Sequence, residues 1–143
     1  MSTITRPADY ARYAEAFNAR DYDAVFDFYS DTPRMAFFGI EITTRQQLRD
    51  FYGFLHQYVA ETITVQRIAV SEDLCAVEGL IRIEGTGDLT REVLDARGMG
   101  QFFPIAKGEV QEMRQYIHYH LADGRIESVG CTLVPEALSS HLR

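Results

Sequence analysis

The sequence predicts a single α+β domain in which three N-terminal helices lie in the concave face of a curved, mostly antiparallel sheet. Three observations lead there. Apolar residues recur at helical spacing as far as Val59, they alternate with polar ones beyond it, and Asp123-Gly124 separates two long alternating runs, the strongest short-range hairpin signal.

Pro7 suits the first turn of a helix, and Tyr10, Tyr13, Ala14 and Phe17 then stack on one face. Asn18 to Asp21 breaks that helix. Asp21 caps a second, short one with Ala24, Val25 and Phe28 inward, and Ser30-Asp31-Thr32-Pro33 stops it. A short strand, Arg34 to Phe38, leads through Gly39 to Thr44. There Thr44 and Gln47 form a capping box ahead of Leu48, Phe51, Tyr52, Leu55 and Val59, the inward face of a third helix.

Period two then takes over. Ile63 and Val65 fall on one parity and Ile68 and Val70 on the other, so a β-bulge is expected between Gln66 and Arg67. Ser71 to Asp73 is a turn, and Leu74 to Glu84 is a strand with Cys75, Val77, Ile81 and Ile83 on its apolar side. Gly79 interrupts it at a bend or a close backbone approach. Residues 85–108 form a long connection with five glycines and a helical turn near Arg91 to Arg97, of the kind that often serves as a lid. Strands Glu109 to Ala122 and Arg125 to Val134 complete the sheet, and Pro135 to Arg143 is a polar tail with room for a helical turn. The domain spans 1–143 with its core at about 8–134.

A chain of 143 residues buries roughly two-thirds of its unfolded surface, enough for one core without disulfides. The N-terminus lacks a secretory h-region and no apolar run approaches membrane-spanning length, so a cytoplasmic protein without membrane contact is expected. The net charge of −7, with 14 bases set against 21 acids, argues against a nucleic-acid partner. Cys75 and Cys131 form no C-x-x-C pair and read as buried, reduced thiols.

Three segments carry a family resemblance: Tyr13 to Val25 with its N-x-x-D word, Thr44 to Tyr52, and Ile117-His-Tyr-His-Leu-Ala-Asp-Gly-Arg-Ile126. Together they resemble the SnoaL-like branch of the nuclear-transport-factor-two-like superfamily, and with their spacing they cover about Ala8 to Val134. The resemblance implies a cone-shaped fold with a ligand site at its wide end. It says little about activity, because that superfamily hosts isomerases, dehydratases, cyclases and non-enzymatic modules.

Strand parity then selects the lining. Gln111, Met113, Gln115, Ile117, Tyr119 and Leu121 share one face of their strand, as do Val129, Cys131 and Leu133 of the next, and the apolar sets are assigned to the interior. Glu112, Arg114, Tyr116, His118 and His120 would lie on the convex face, where the resemblance implies a homodimer. Tyr13, Tyr52, His56 and Tyr119 are the candidate donors or bases. Phe17, Tyr29, Phe37, Leu55, Val77, Met113, Gln115, Ile117, Val129 and Cys131 are the candidate substrate contacts. Such a lining suits a small hydrophobic, ring-bearing or polyketide-like molecule. For each tyrosine the plain alternative is a core aromatic whose hydroxyl bonds a backbone group, and for His56 a satisfied histidine.

The carboxylates of the superfamily's ketosteroid isomerases, which the resemblance would place near the short strand and the long strand, are replaced by Met35-Ala-Phe-Phe38 and Ile117. His118 and His120 can chelate a metal in principle but lack a third ligand at suitable spacing, so neither metal nor cofactor is expected. Glu78, Arg82 and Arg114 are expected to form a charge network on the outer face. Two functions follow: a cofactor-independent isomerase, dehydratase or cyclase, or a ligand-binding or dimerisation module without chemistry.

Overall fold

The computed structural model describes residues 2–134; the tail from Pro135, with its expected helical turn, lies outside the described residues. Helix α1 (Pro7–Asn18) buries Tyr10, Tyr13, Ala14 and Phe17 on the face their spacing selects. Helix α2 (Tyr22–Phe26) starts where the Asp21 carboxylate accepts the Ala24 N–H at 3.2 Å. It buries Val25 and Phe26 while Ala24 is only half-buried, so Phe26 takes the inward place expected of Ala24.

The single short strand expected at Arg34 to Phe38 is a hairpin of β1 (Met35–Phe37) and β2 (Ile40–Ile42). Its turn uses Phe38 at φ 51° and Gly39 at φ 90°, and a phenylalanine in the left-handed region hides that turn from sequence patterns. Helix α3 (Arg45–Leu55) carries the expected capping box, with the Gln47 N–H on Thr44 Oγ1 at 3.1 Å and the Thr44 N–H on Gln47 Oε1 at 3.2 Å. It stops at Leu55 rather than Val59. The Tyr58 carbonyl leaves the helical ladder to accept the Thr86 and Gly87 N–H groups, and Val59 pairs with Gly85.

The main sheet has the antiparallel order β3 (Val59–Val70), β4 (Leu74–Gly85), β5 (Val110–Ala122), β6 (Arg125–Leu133). Gln66 is the extra residue of the expected bulge, since Val65 pairs with Gly79 and Arg67 with Glu78. Gly79 thus sits opposite the bend, and a Cβ there would meet only ordinary side-chain contacts. A second bulge at Glu127 places Leu121 opposite Ile126 and His120 opposite Ser128. Asp123 and Gly124, at φ 51° and 79°, make the expected two-residue turn.

Parity on β5 is as expected: Ile117, Tyr119 and Leu121 are buried against the helices while His118 and His120 face outward. On the outer face Glu78 and Arg82 each lie beside an opposite charge. Arg67 lies 3.8 Å from Glu78 and Arg82 lies 3.7 Å from Glu84, because the bulge brings Arg67 level with Glu78. Cys75 is buried, and burial pushes its thiol up to about 12, but Cys131 is exposed.

The 85–108 connection is an ordered flap. Helix α4 (Arg91–Ala96) and a bridge between Leu89 and Ile105 enclose a small core of Leu89, Leu94, Met99, Phe102 and Ile105. The Arg91 guanidinium holds the returning arm by the Gly100 and Phe102 carbonyls at 2.9 and 2.8 Å. Gly85 is required at its root, where a Cβ would come within 2.1 Å of the Ala106 carbonyl oxygen. Among the described residues no helix is long and apolar enough to cross a membrane.

Candidate functional site

The helices and the bent sheet leave a cavity of about 310 Å³, near the small end of the usual ligand range. Its floor is made by tyrosines. Tyr13 from α1 meets Tyr29, which follows α2, hydroxyl to hydroxyl at 2.8 Å, and Tyr10 meets Tyr119 of β5 at the same distance. Burial pushes all four phenols up, so at neutral pH each is a hydroxyl that gives or takes a hydrogen bond, not a base.

Tyr52, four residues before the end of α3's turn at His56, also lines the cavity, and burial followed by the nearby Tyr29 and Glu61 raises its phenol. Among the described residues its hydroxyl makes no hydrogen bond, so it is the cavity's available phenolic donor. The aromatic wall is completed by Phe17, Phe37 and Phe51, with Phe38 at the mouth. Phe38 is 37% exposed in its left-handed turn and lies edge-on to Phe102 of the flap at 4.6 Å. Gln101, Phe102 and Phe103 bring that flap to the cavity wall.

Of the residues expected from the sequence, Tyr13, Phe17, Tyr29, Phe37, Tyr52, Leu55, Met113, Gln115, Ile117, Tyr119, Val129 and Cys131 all line this cavity. Two do not. Val77 is buried on the inward side of β4 but packs in the core, because parity gives a residue's side and not its depth along the strand. His56 stands one position beyond the end of α3, and its ring turns behind the wall.

There the His56 ring makes two side-chain hydrogen bonds. Its Nε2 lies 3.2 Å from Glu61 Oε1 and its Nδ1 lies 2.7 Å from the Tyr22 hydroxyl. Glu61, on β3, does line the cavity, and it is the only charged side chain among the described residues that does so. Sequence reasoning missed it. The signal was its parity, since Glu61 is two residues from inward Ile63 and therefore shares that face. Cys131 also lines the cavity, and partial loss of its contact with water, followed by the nearby Glu61, raises its thiol.

A family model for the SnoaL-like domain matches residues 10–129. The chain belongs to the SnoaL-like domain family. Its fold is shared by a SnoaL-like polyketide cyclase from Agrobacterium tumefaciens, 14% identical, with 98% of this chain and 100% of that one aligned at a TM-score of 0.68. An NTF2-like protein of unknown function from Burkholderia pseudomallei is 12% identical over 94% of this chain and 92% of its own, at 0.65. A protein with a ketosteroid-isomerase-like fold from Catenulispora acidiphila, solved with trimethylamine, is 12% identical over 90% and 86%, at 0.66. Such identities establish the SnoaL-like fold and nothing finer. No curated protein sequence gives a match.

Proposed function

We propose that this SnoaL-like domain is a cofactor-independent acid–base enzyme that isomerises, dehydrates or cyclises a hydrophobic, ring-bearing or polyketide-like molecule. One observation carries the reading: a single carboxylate, Glu61, stands on the wall of an otherwise uncharged and largely aromatic cavity and is hydrogen-bonded from behind by a buried histidine. A carboxylate so placed can take a proton from a carbon next to a carbonyl group. The unpaired Tyr52 hydroxyl would donate to the oxygen that gains charge. Tyr13, Tyr29 and Tyr119, closed into pairs, would shape the floor, while the flap aromatics exclude water from the mouth. The polyketide cyclase among the structural neighbours is consistent with such a substrate.

The test is hydrogen exchange. A panel of bicyclic and tricyclic aromatic β-keto esters is incubated with the protein in D2O, and loss of the α-proton is followed by NMR. Exchange above the buffer rate is expected for at least one member, and Glu61→Gln should slow it by roughly 100-fold or more. Full activity in Glu61→Gln removes the proposed base. Tight binding with no exchange by any member favours a ligand-binding module instead.

The convex face is proposed as the contact with a second copy of the chain, since its rows of opposite charges, Arg67 with Glu78 and Arg82 with Glu84, can complement themselves across a two-fold axis. Sedimentation at micromolar concentration should show a dimer; a clean monomer removes this assignment.

A further inference from the structure

We propose that Tyr22 is a proton port, which charges and discharges His56 from the outer surface of the helical layer and so decides whether Glu61 faces an imidazolium or a neutral imidazole. The proposal rests on Glu61 as the acting carboxylate of the cavity, but its own evidence lies on the other side of the wall.

His56 is closed off from water on every side, its side chain 2% exposed. The Tyr22 ring lies nearly parallel to the imidazole, at 14° and 5.9 Å, and Phe17 approaches edge-on. The charged or titratable groups around it are few. Glu61 faces it from β3, Tyr22 from α2 and Tyr52 from α3. The Arg20 guanidinium grips the backbone carbonyls of His56 and Val59 at 3.2 and 3.0 Å, Arg49 lies near Tyr22, and Cys131 lies near Glu61. A buried imidazole can change charge only if every nitrogen keeps a partner in both states.

Tyr22 supplies that condition. With His56 neutral, Nε2–H donates to the Glu61 carboxylate and Nδ1 accepts the Tyr22 hydroxyl proton at 2.7 Å. With His56 charged, Nδ1–H donates to the Tyr22 oxygen, and the Tyr22 hydroxyl turns to the Tyr52 backbone carbonyl, 3.5 Å away. No polar group is orphaned in either state. The transfer also balances: the Tyr22 hydroxyl proton passes to Nδ1 as a solvent hydronium ion gives its proton to the Tyr22 oxygen and is left as water, and the reverse discharges the ring. Water reaches Tyr22 from a surface depression it shares with Asp50, Gly53 and Gln57, separate from the ligand cavity. A ligand filling the cavity would therefore leave the port open. An imidazolium beside Glu61 makes an ion pair and a weaker base; a neutral ring leaves the carboxylate free to take a proton.

The experiment follows the His56 ring nitrogens of the full chain by ¹⁵N NMR across pH, in the wild type, Tyr22→Phe and Glu61→Gln. The neutral ring should be the Nε2–H tautomer, and the midpoint of its titration should fall in Tyr22→Phe by roughly half to one pH unit, because the charged form loses a charge-assisted bond while the neutral form loses only an ordinary one. It should fall further in Glu61→Gln. A neutral ring on the Nδ1–H tautomer, or an unmoved midpoint in Tyr22→Phe, overturns the port. If Tyr22→Phe does not fold, the tautomer of the wild-type ring decides alone. None of these readouts requires turnover, so a failed exchange assay and a failed port are distinguishable.

Discussion

Asn18 is clamped to Ile63 by two hydrogen bonds: its Oδ1 accepts the Ile63 N–H at 2.8 Å and its Nδ2 donates to the Ile63 carbonyl at 3.0 Å. The clamp joins the end of α1 to the free edge of β3, two residues from Glu61. The side chain thus imitates a neighbouring strand, and satisfies backbone groups that nothing else in the sheet reaches. Asn18→Ala should cost roughly 1–3 kcal/mol, read from the denaturant midpoint, because both Ile63 groups lose their partner. Stability equal to the wild type would mean that water replaces the amide at no cost.

The tyrosine pairs give a sharper test of burial. Tyr13→Phe leaves the Tyr29 hydroxyl without its 2.8 Å partner in a closed site, so a loss of about 1–2 kcal/mol is expected. Tyr13→Phe combined with Tyr29→Phe removes both polar groups and should recover part of that loss. A double variant that merely adds the two single losses shows that the hydroxyls are not coupled.

Leu55, 2% exposed, closes α3 against the cavity. Leu55→Ala should destabilise by ~2–5 kcal/mol, toward the lower end because the void it leaves merges with an existing cavity. An unchanged melting curve contradicts the packing of α3.

These sites differ in how far the sequence revealed them. The Thr44–Gln47 box, the Asp21 cap and the Asp123-Gly124 turn are local devices, and each stands where its residues predict. Most of the cavity wall followed from parity, because a strand's facing is written in its alternation. Glu61 escaped because alternation is read from apolar residues, and a carboxylate on the inward side registers as a gap in the pattern. Gln101 to Phe103 escaped for another reason: the fold of the flap over the mouth depends on Arg91 and Gly85 meeting distant carbonyls, which no local spacing encodes. The sequence puts His56 within the third helix, but α3 stops at Leu55 and His56 caps it; its contacts turn on that end, and element ends are the least legible feature of a sequence.

Acid should weaken the N-terminal anchor. The Asp9 carboxylate accepts the Thr5 and Arg6 N–H groups at 2.9 and 3.2 Å, and pairs with Arg12 at 2.6 Å. The Thr5 backbone bond leads these effects, and they hold Asp9 down at about 2 against the ordinary 3.8. A value depressed by folding contributes stability that is complete above about pH 3.8 and fades as pH falls toward 2. Asp9→Asn should accordingly be less stable than the wild type at pH 7, with the gap closing below pH 3.8. A gap that persists unchanged at pH 2 assigns the effect to shape instead of charge.

Glu61 also makes a prediction about what the cavity refuses. Among the described residues no cation lines it, so a ligand carboxylate would be buried beside a like charge with no cation to offset it. Aromatic ring compounds should bind as methyl esters at least roughly tenfold more tightly than as the free acids at pH 7.5, measured by calorimetry on matched pairs. The comparison isolates charge, because the two members share the ring that the aromatic wall grips. Glu61→Gln should shrink the ratio by improving the acid while leaving the ester nearly unchanged. Equal affinities in the wild type would place the carboxyl end outside the mouth near Phe38, and would move the reacting carbon away from Glu61 as well.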